Sequence, residues 1–209
     1  MVEQHLSRRQ VLIGASTLAV LGPAMLPAAA LAAESEPSVG LLRWDLVAIR
    51  DGVVIAGGTD VGLDAASGDT VRLTGSGQAE PHEKEARGGG TFVHAHASGK
   101  VRASGVYVVT GFRGFRNGGG TLVGVGLRDG IGELEETGSG ILTVGVRLIP
   151  DSGSPHEGVL RVNCNLPGTA FPTKEGIELT VDGFPLDFKP HGGVTLFHLL
   201  GGGASAQNR

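Results

Sequence analysis

Gly88-Gly89-Gly90-Thr91-Phe92-Val93-His94-Ala95-His96 couples three glycines to a short apolar run with a histidine at two alternate positions. It reads as a glycine-rich entry into a β-strand. Related text returns at Gly118-Gly119-Gly120-Thr121-Leu122-Val123-Gly124 and at Gly192-Gly193-Val194-Thr195-Leu196-Phe197-His198. Side chains alternate across a strand, so the copies can be compared face by face. Thr91, Val93 and Ala95 align with Thr121, Val123 and Val125 and with Thr195, Phe197 and Leu199. This set is expected to face the core, which leaves His94 and His96 on the outer, polar face. Phe92 lies on the histidine face and argues for the opposite register.

A second repeat covers the rest of the chain. Ser104-Gly105, Ser139-Gly140, Glu157-Gly158 and Glu175-Gly176 each place a polar residue and a glycine before a β-branched run. A glycine there can form a turn or bulge that bends the entering strand. Strands are expected at Leu41–Arg50, then after an Asp51-Gly52 turn at Val53–Ala56, at Thr70–Thr74, and from Lys100 to Phe112 after a Ser98-Gly99 turn. The last is Val194–Leu200. Gly75-Ser76-Gly77 is expected to end the third of these, and 57–69 and 78–87 to be loops. Leu142, Val144, Val146 and Leu148 share one face; so do Leu160, Val162, Cys164 and Leu166, with Arg161 and Asn163 opposite; so do Ile177, Leu179 and Val181. Such alternation marks antiparallel sheets with one solvated face. The expected fold is all-β, a single antiparallel barrel or two-sheet sandwich with glycine-led strands.

Composition agrees. Glycine contributes 37 of 209 residues and proline 10, dispersed between β-branched runs rather than gathered in one tract. Of 17 basic residues only four are lysine, and alanine is plentiful, a bias that points to a GC-rich bacterial genome. The formal charge is -4 and aromatics make up 4%. A mildly acidic chain with few aromatics lacks the basic patches and stacking platforms that nucleic acid requires. Cys164 is the single cysteine, so no intramolecular disulfide can form.

Ser7-Arg8-Arg9-Gln10-Val11-Leu12 precedes an apolar stretch to about Leu26, then Pro27 and Ala28-Ala29-Ala30-Leu31-Ala32-Ala33. The paired Arg8 and Arg9 resemble a twin-arginine translocation signal, and the alanines a small-residue cleavage region. The resemblance implies a signal peptide over 1–32, a linker over 33–40, a β domain over 41–200 and a disordered tail over 201–209. Pro23 and Pro27 interrupt a stretch shorter than the ~20 residues a spanning helix needs, so no stable membrane anchor is expected after cleavage. The location implied is secreted or cell-envelope.

His94 and His96 fall on one strand face, roughly 7 Å apart along the chain, and could share a transition metal given a third ligand. Gly88, five residues and His94-Ala95-His96 resemble the opening of the first cupin motif. Lys100 or Val101 stands where that motif places a glutamate, and Thr195 where its second half places a histidine. His82, His156 and His191 are loop residues by context, each following a proline. Cys164, on an apolar face, reads as a buried thiol rather than a nucleophile. Leu73-Thr74-Gly75-Ser76-Gly77 ahead of Gly88-Gly89-Gly90-Thr91-Phe92 resembles a loose group of uncharacterised secreted bacterial proteins, which implies a fold and no activity.

No complete catalytic set is present. The expectation is an exported, non-catalytic barrel or sandwich protein that binds an extracellular ligand or plays a structural role. The rival expectation is a small metal-dependent, cupin-like enzyme using His94 and His96.

Overall fold

The computed structural model describes residues 39–201, which fall within one compact unit, Ser35–Arg209. The signal segment with Arg8 and Arg9, most of the 33–40 linker and the tail beyond Gly201 lie outside the described residues. In chain order the strands are β1 (Leu41–Arg50), β2 (Val53–Ala56), β3 (Asp60–Leu63), β4 (Thr70–Glu80), β5 (Glu85–Ala95) and β6 (Val101–Gly119). They continue with β7 (Arg128–Asp129), β8 (Thr137–Pro150), β9 (His156–Cys164), β10 (Gly176–Val181), β11 (Asp187–Gly192) and β12 (Val194–Leu200). One 3-10 turn, Leu134–Glu136, interrupts the loop before β8.

The chain is all-β, and its hydrogen bonding closes on itself. One ring runs β8-β6-β5-β4-β3-β11-β10-β9 and back to β8. Beyond Gly75, β4 exchanges β3 for β1, pairing Ser76–Ala79 with Leu42–Asp45. β12 then joins β1 to the start of β8, at Thr137 and Gly138. Eight strands therefore close one end, and six (β8-β6-β5-β4-β1-β12) close the other. Every pairing is antiparallel except the short β2–β7 bridge.

Strand β6 turns the corner. Against β8 it gains an extra residue at Thr110, Arg113 and Gly118. Each bulge bends the strand and resets which way its side chains point. That is why Phe112 and Phe115, three apart, both pack toward the core, opposite Val144 and Leu142. Phe115 meets Phe197 edge to face. The core is filled by Leu42, Trp44, Leu46, Leu73, Leu142, Val144, Leu160, Ile177, Phe188 and Phe197, all at most 1% exposed.

The faces read from β4, β8, β9 and β10 hold: Val71, Leu73, Leu142, Val144, Val146, Leu160, Val162, Cys164, Leu166, Ile177 and Leu179 are buried. The opening stretch is different. Gly88–Gly90 is the middle of β5, not an entry to it, because 78–87 is strand on both sides of a tight turn at 81–84. β4 runs through Gly75-Ser76-Gly77 to Glu80, and β3 lies inside the expected 57–69 loop. The second copy is no strand start either: β6 ends at Gly119, and 120–127 is turns. The register inverts as well. Leu73 pairs with Phe92 and Val71 with His94. Directly paired residues share a face, so Phe92 and His94 point inward with their partners, and Thr91 is exposed.

The third copy escapes the alternation. Thr195, Leu196, Phe197 and His198 are all buried, because residues 120–136 cover the outer face of β12. There His198 Nε2 bonds Asp129 Oδ2 at 2.6 Å, with both side chains 1% exposed. Arg43 grips the same cover, donating to Ile131 O at 2.7 Å and pairing with Asp45 at 2.8 Å. Asn163, expected outside, is buried and donates to Glu178 Oε1 at 3.0 Å.

Candidate functional site: the barrel mouth

The eight-stranded end is where four hairpin turns meet: 64–69, 96–100, 151–155 and 182–186. Between them opens a cavity of about 480 Å³. Val71, Phe92, Leu148, Leu179 and Phe188 form an apolar floor, all buried. Phe184 stands on the rim, half exposed, edge to face with the His156 ring at 4.9 Å between centroids. The volume falls in the ~300–1,000 Å³ range of small-molecule sites, and an apolar wall with few polar groups is their usual make-up.

The polar groups gather on one side. Asp69 ends the β3–β4 turn, which the chain knots tightly. Asp64 Oδ2 accepts from Ser67 Oγ at 2.5 Å and Ser67 N at 3.1 Å, while Ser67 Oγ accepts from Asp69 N at 3.1 Å. Asp64 N and Asp69 O close the loop at 2.9 Å. So fixed, Asp69 Oδ2 receives His94 Nε2 at 3.0 Å and lies 3.2 Å from Arg102 Nε. Asp69 is 2% exposed. Burial alone would raise its carboxyl, but the His94 hydrogen bond and the charges of Arg102 and the imidazoles of His94 and His96 outweigh that, and its pKa is lowered.

Arg102 reaches Asp69 because of a bulge. Ala103 pairs with His94, but Val101 pairs with Ala95, so Arg102 is the extra residue. Regular alternation would send it outward, opposite Ala103, which lines the cavity. The bulge re-aims it onto the rim.

His94 thus sits on the cavity wall, its ring edge-on to Phe188 at 5.5 Å. His96 lies beyond the end of β5, exposed, with Nδ1 accepting from Ser98 N at 3.2 Å. Of the two histidines, His94 lines the cavity and His96 does not, and the strand whose alternation would align them ends at Ala95. His94 commits Nε2 to Asp69. Among the described residues no group of three or more His, Cys, Asp or Glu side chains could hold a metal ion. His156 joins His94 at the cavity, while His82 lies in the turn at the far end of β4–β5 and His191 is exposed on β11. Cys164 is fully buried, and loss of solvation pushes its thiol pKa well up, so it forms no thiolate at neutral pH.

Asp69 and Arg102 carry no motif. What the sequence did offer was Ser98-Gly99: a turn there brings the start of β6 beside His94, and with it Arg102. The β3–β4 turn that delivers Asp69 lay in a stretch expected to be loop.

No protein-family model matches the chain, and no curated protein or solved structure matches it either. The twin-arginine and cupin resemblances rest on the residues quoted for them.

Proposed function

We propose that the protein is an exported, non-catalytic binding module that takes a small, largely apolar molecule into the mouth of its barrel. The observation that carries the reading is the cavity. Its floor is made of core residues from β4, β5, β8, β10 and β11, yet it is open to solvent between four turns. A protein of this size could fill that space with one more layer of side chains. Leaving it open costs hydrophobic burial, at roughly 25 cal/mol per Å². Small barrels that hold one ligand keep such a mouth. Export through the twin-arginine route, read from Ser7–Leu12, places the binding outside the cytoplasm.

The test is titration of an environment-sensitive apolar fluorophore, such as N-phenyl-1-naphthylamine, into wild type and Ala103→Phe. Ala103 lines the cavity from the β6 wall, and a phenyl ring there occupies the space of the ligand. Saturable binding is expected in wild type and at least ten-fold weaker binding in the variant, with an unchanged circular dichroism spectrum. Equal binding by both proteins would place the probe elsewhere and remove the basis for the reading.

A further inference from the structure

Resting on that reading of the mouth, the geometry points to the class of ligand: we infer that the cavity takes an amphipathic monocarboxylate, its chain on the apolar floor and its carboxylate on the free fork of Arg102.

The arrangement of donors is what selects an anion. Asp69 Oδ2 pairs with Arg102 at Nε, 3.2 Å away. Nη1 and Nη2 make no hydrogen bond among the described residues, and Arg102 both lines the cavity and is half exposed. A guanidinium ion-paired beside Nε still has its two Nη groups as a planar pair, the shape that meets both oxygens of a carboxylate. The ion pair also removes part of the rotamer freedom that an arginine otherwise loses on binding.

A cationic head group finds no equivalent. Among the described residues Asp69 is the one carboxylate lining the cavity, and neither oxygen is open. Oδ2 is taken by His94 and Arg102, and Oδ1 is buried without a hydrogen-bond partner among the described residues. Asp69 therefore anchors His94 by a hydrogen bond and Arg102 by an ion pair, and is not itself a binding group. A neutral alcohol could reach Ser67, Ser152 or His156, which also line the mouth, but it would leave the fork unused. Charge-assisted bonds are roughly twice as strong as neutral ones, so the carboxylate is the head group the site rewards.

The experiment is calorimetric titration of the purified protein with three ten-carbon amphiphiles: decanoate, decan-1-ol and decyltrimethylammonium. Wild type, Arg102→Gln and Arg102→Lys are compared. Decanoate is expected to bind wild type at least ten-fold more tightly than decanol, with the cation weakest. The preference should vanish in R102Q, while decanol affinity is unchanged, and return in part in R102K, which keeps the charge and loses the planar fork. The unchanged decanol affinity also reports that R102Q is folded. Equal affinity for decanoate and decanol in wild type, or a preference that survives in R102Q, overturns the inference while leaving the cavity a binding site. Failure of all three amphiphiles to bind overturns the reading of the cavity and the inference together.

Discussion

Arg102 Nε and Asp69 Oδ2, 3.2 Å apart, join the bulge of β6 to the turn between β3 and β4 across the mouth of the barrel. The pair is asymmetric: Arg102 is half exposed and Asp69 is buried. The same Asp69 oxygen also receives His94. The carboxylate thus holds three segments of the rim in one register, and its lowered pKa records how much better the ionised form is solvated there than burial alone would allow.

That direction sets a sign. The folded pKa lies below the unfolded one, so the contribution of Asp69 is fully present above the ordinary aspartate value, about 3.9. It is lost as pH falls through the lower folded value. The gap between the urea midpoints of wild type and Asp69→Asn, measured from about pH 6 down to about pH 2.5, should narrow as the pH falls below about 3.9. A gap that stays constant with pH would mean that ionisation of Asp69 contributes nothing to folding.

The glycine triplet makes a second prediction. At Gly90 a Cβ would overlap the Thr74 carbonyl oxygen on the paired strand. That neighbour is backbone and cannot swing away. Gly111, on β6, has nothing near its Cβ position and needs no left-handed conformation. Gly90→Ala should therefore cost more than about 2 kcal/mol, and Gly111→Ala should fall within about 0.5 kcal/mol of wild type or stabilise by restricting the unfolded chain. Chemical denaturation of both variants checks the contrast. Equal effects would show that β4 and β5 can move apart at no cost.

The same residue explains how far the sequence could be read. Glycines are needed at 88–90 because β4, β5 and β6 coil tightly past one another, which is a property of three strands and not of one. In the chain alone they look like punctuation, and an entry was the natural inference. Alternation located β1, β2 and β12 to the residue, because there the apolar period and the turns agree. It assigned β5 to the wrong face because Val93 and Ala95 are as apolar as the inward side, where Phe92 is followed by a polar histidine. Only the pairing with Val71 and Leu73, both 1% exposed, decides it. The site was legible at His94 alone. Arg102 depends on a bulge, and Asp69 on a turn built by Asp64 and Ser67. Both are pairing details with no period for a sequence to show.

His198 and Asp129 supply a third prediction. Their hydrogen bond ties the 120–136 cover to β12, and Asp129 Oδ1 accepts from Ile131 N at 2.9 Å and Gly132 N at 3.1 Å. A Cβ on Gly132 would overlap the His198 imidazole, which is 1% exposed and has nowhere to go. Gly132→Ala is expected to cost about 1–3 kcal/mol. Combined with Asp129→Asn it should cost less than the sum, because either change alone breaks the same tie. A double-mutant cycle by urea denaturation reads this directly, and additive costs would show that the two residues act separately.

Asp60 gives the opposite pH dependence from Asp69. It is fully buried at the start of β3, where Oδ1 accepts from Val61 N at 2.7 Å and Oδ2 has no hydrogen-bond partner among the described residues. Loss of solvation, reinforced by the nearby Glu175, raises its pKa to about 7. Between the unfolded value near 3.9 and this folded value the native state holds a proton that the unfolded chain releases. Stability should therefore decline as pH rises from about 4 to about 7 and level off above. Asp60→Asn removes the cost of ionisation, so it should match wild type near pH 4 and exceed it near pH 8 by an amount on the order of 1–3 kcal/mol. Some slope will persist in the variant. Glu175, whose pKa burial also raises, still accepts from Thr195 N at 2.6 Å and Asn165 N at 2.5 Å, and contributes in the same direction. Urea midpoints of the two proteins across this range are the measurement. Curves that run parallel would show that Asp60 is ionised in the native state at all of these pH values, and its neutral burial would have to be abandoned.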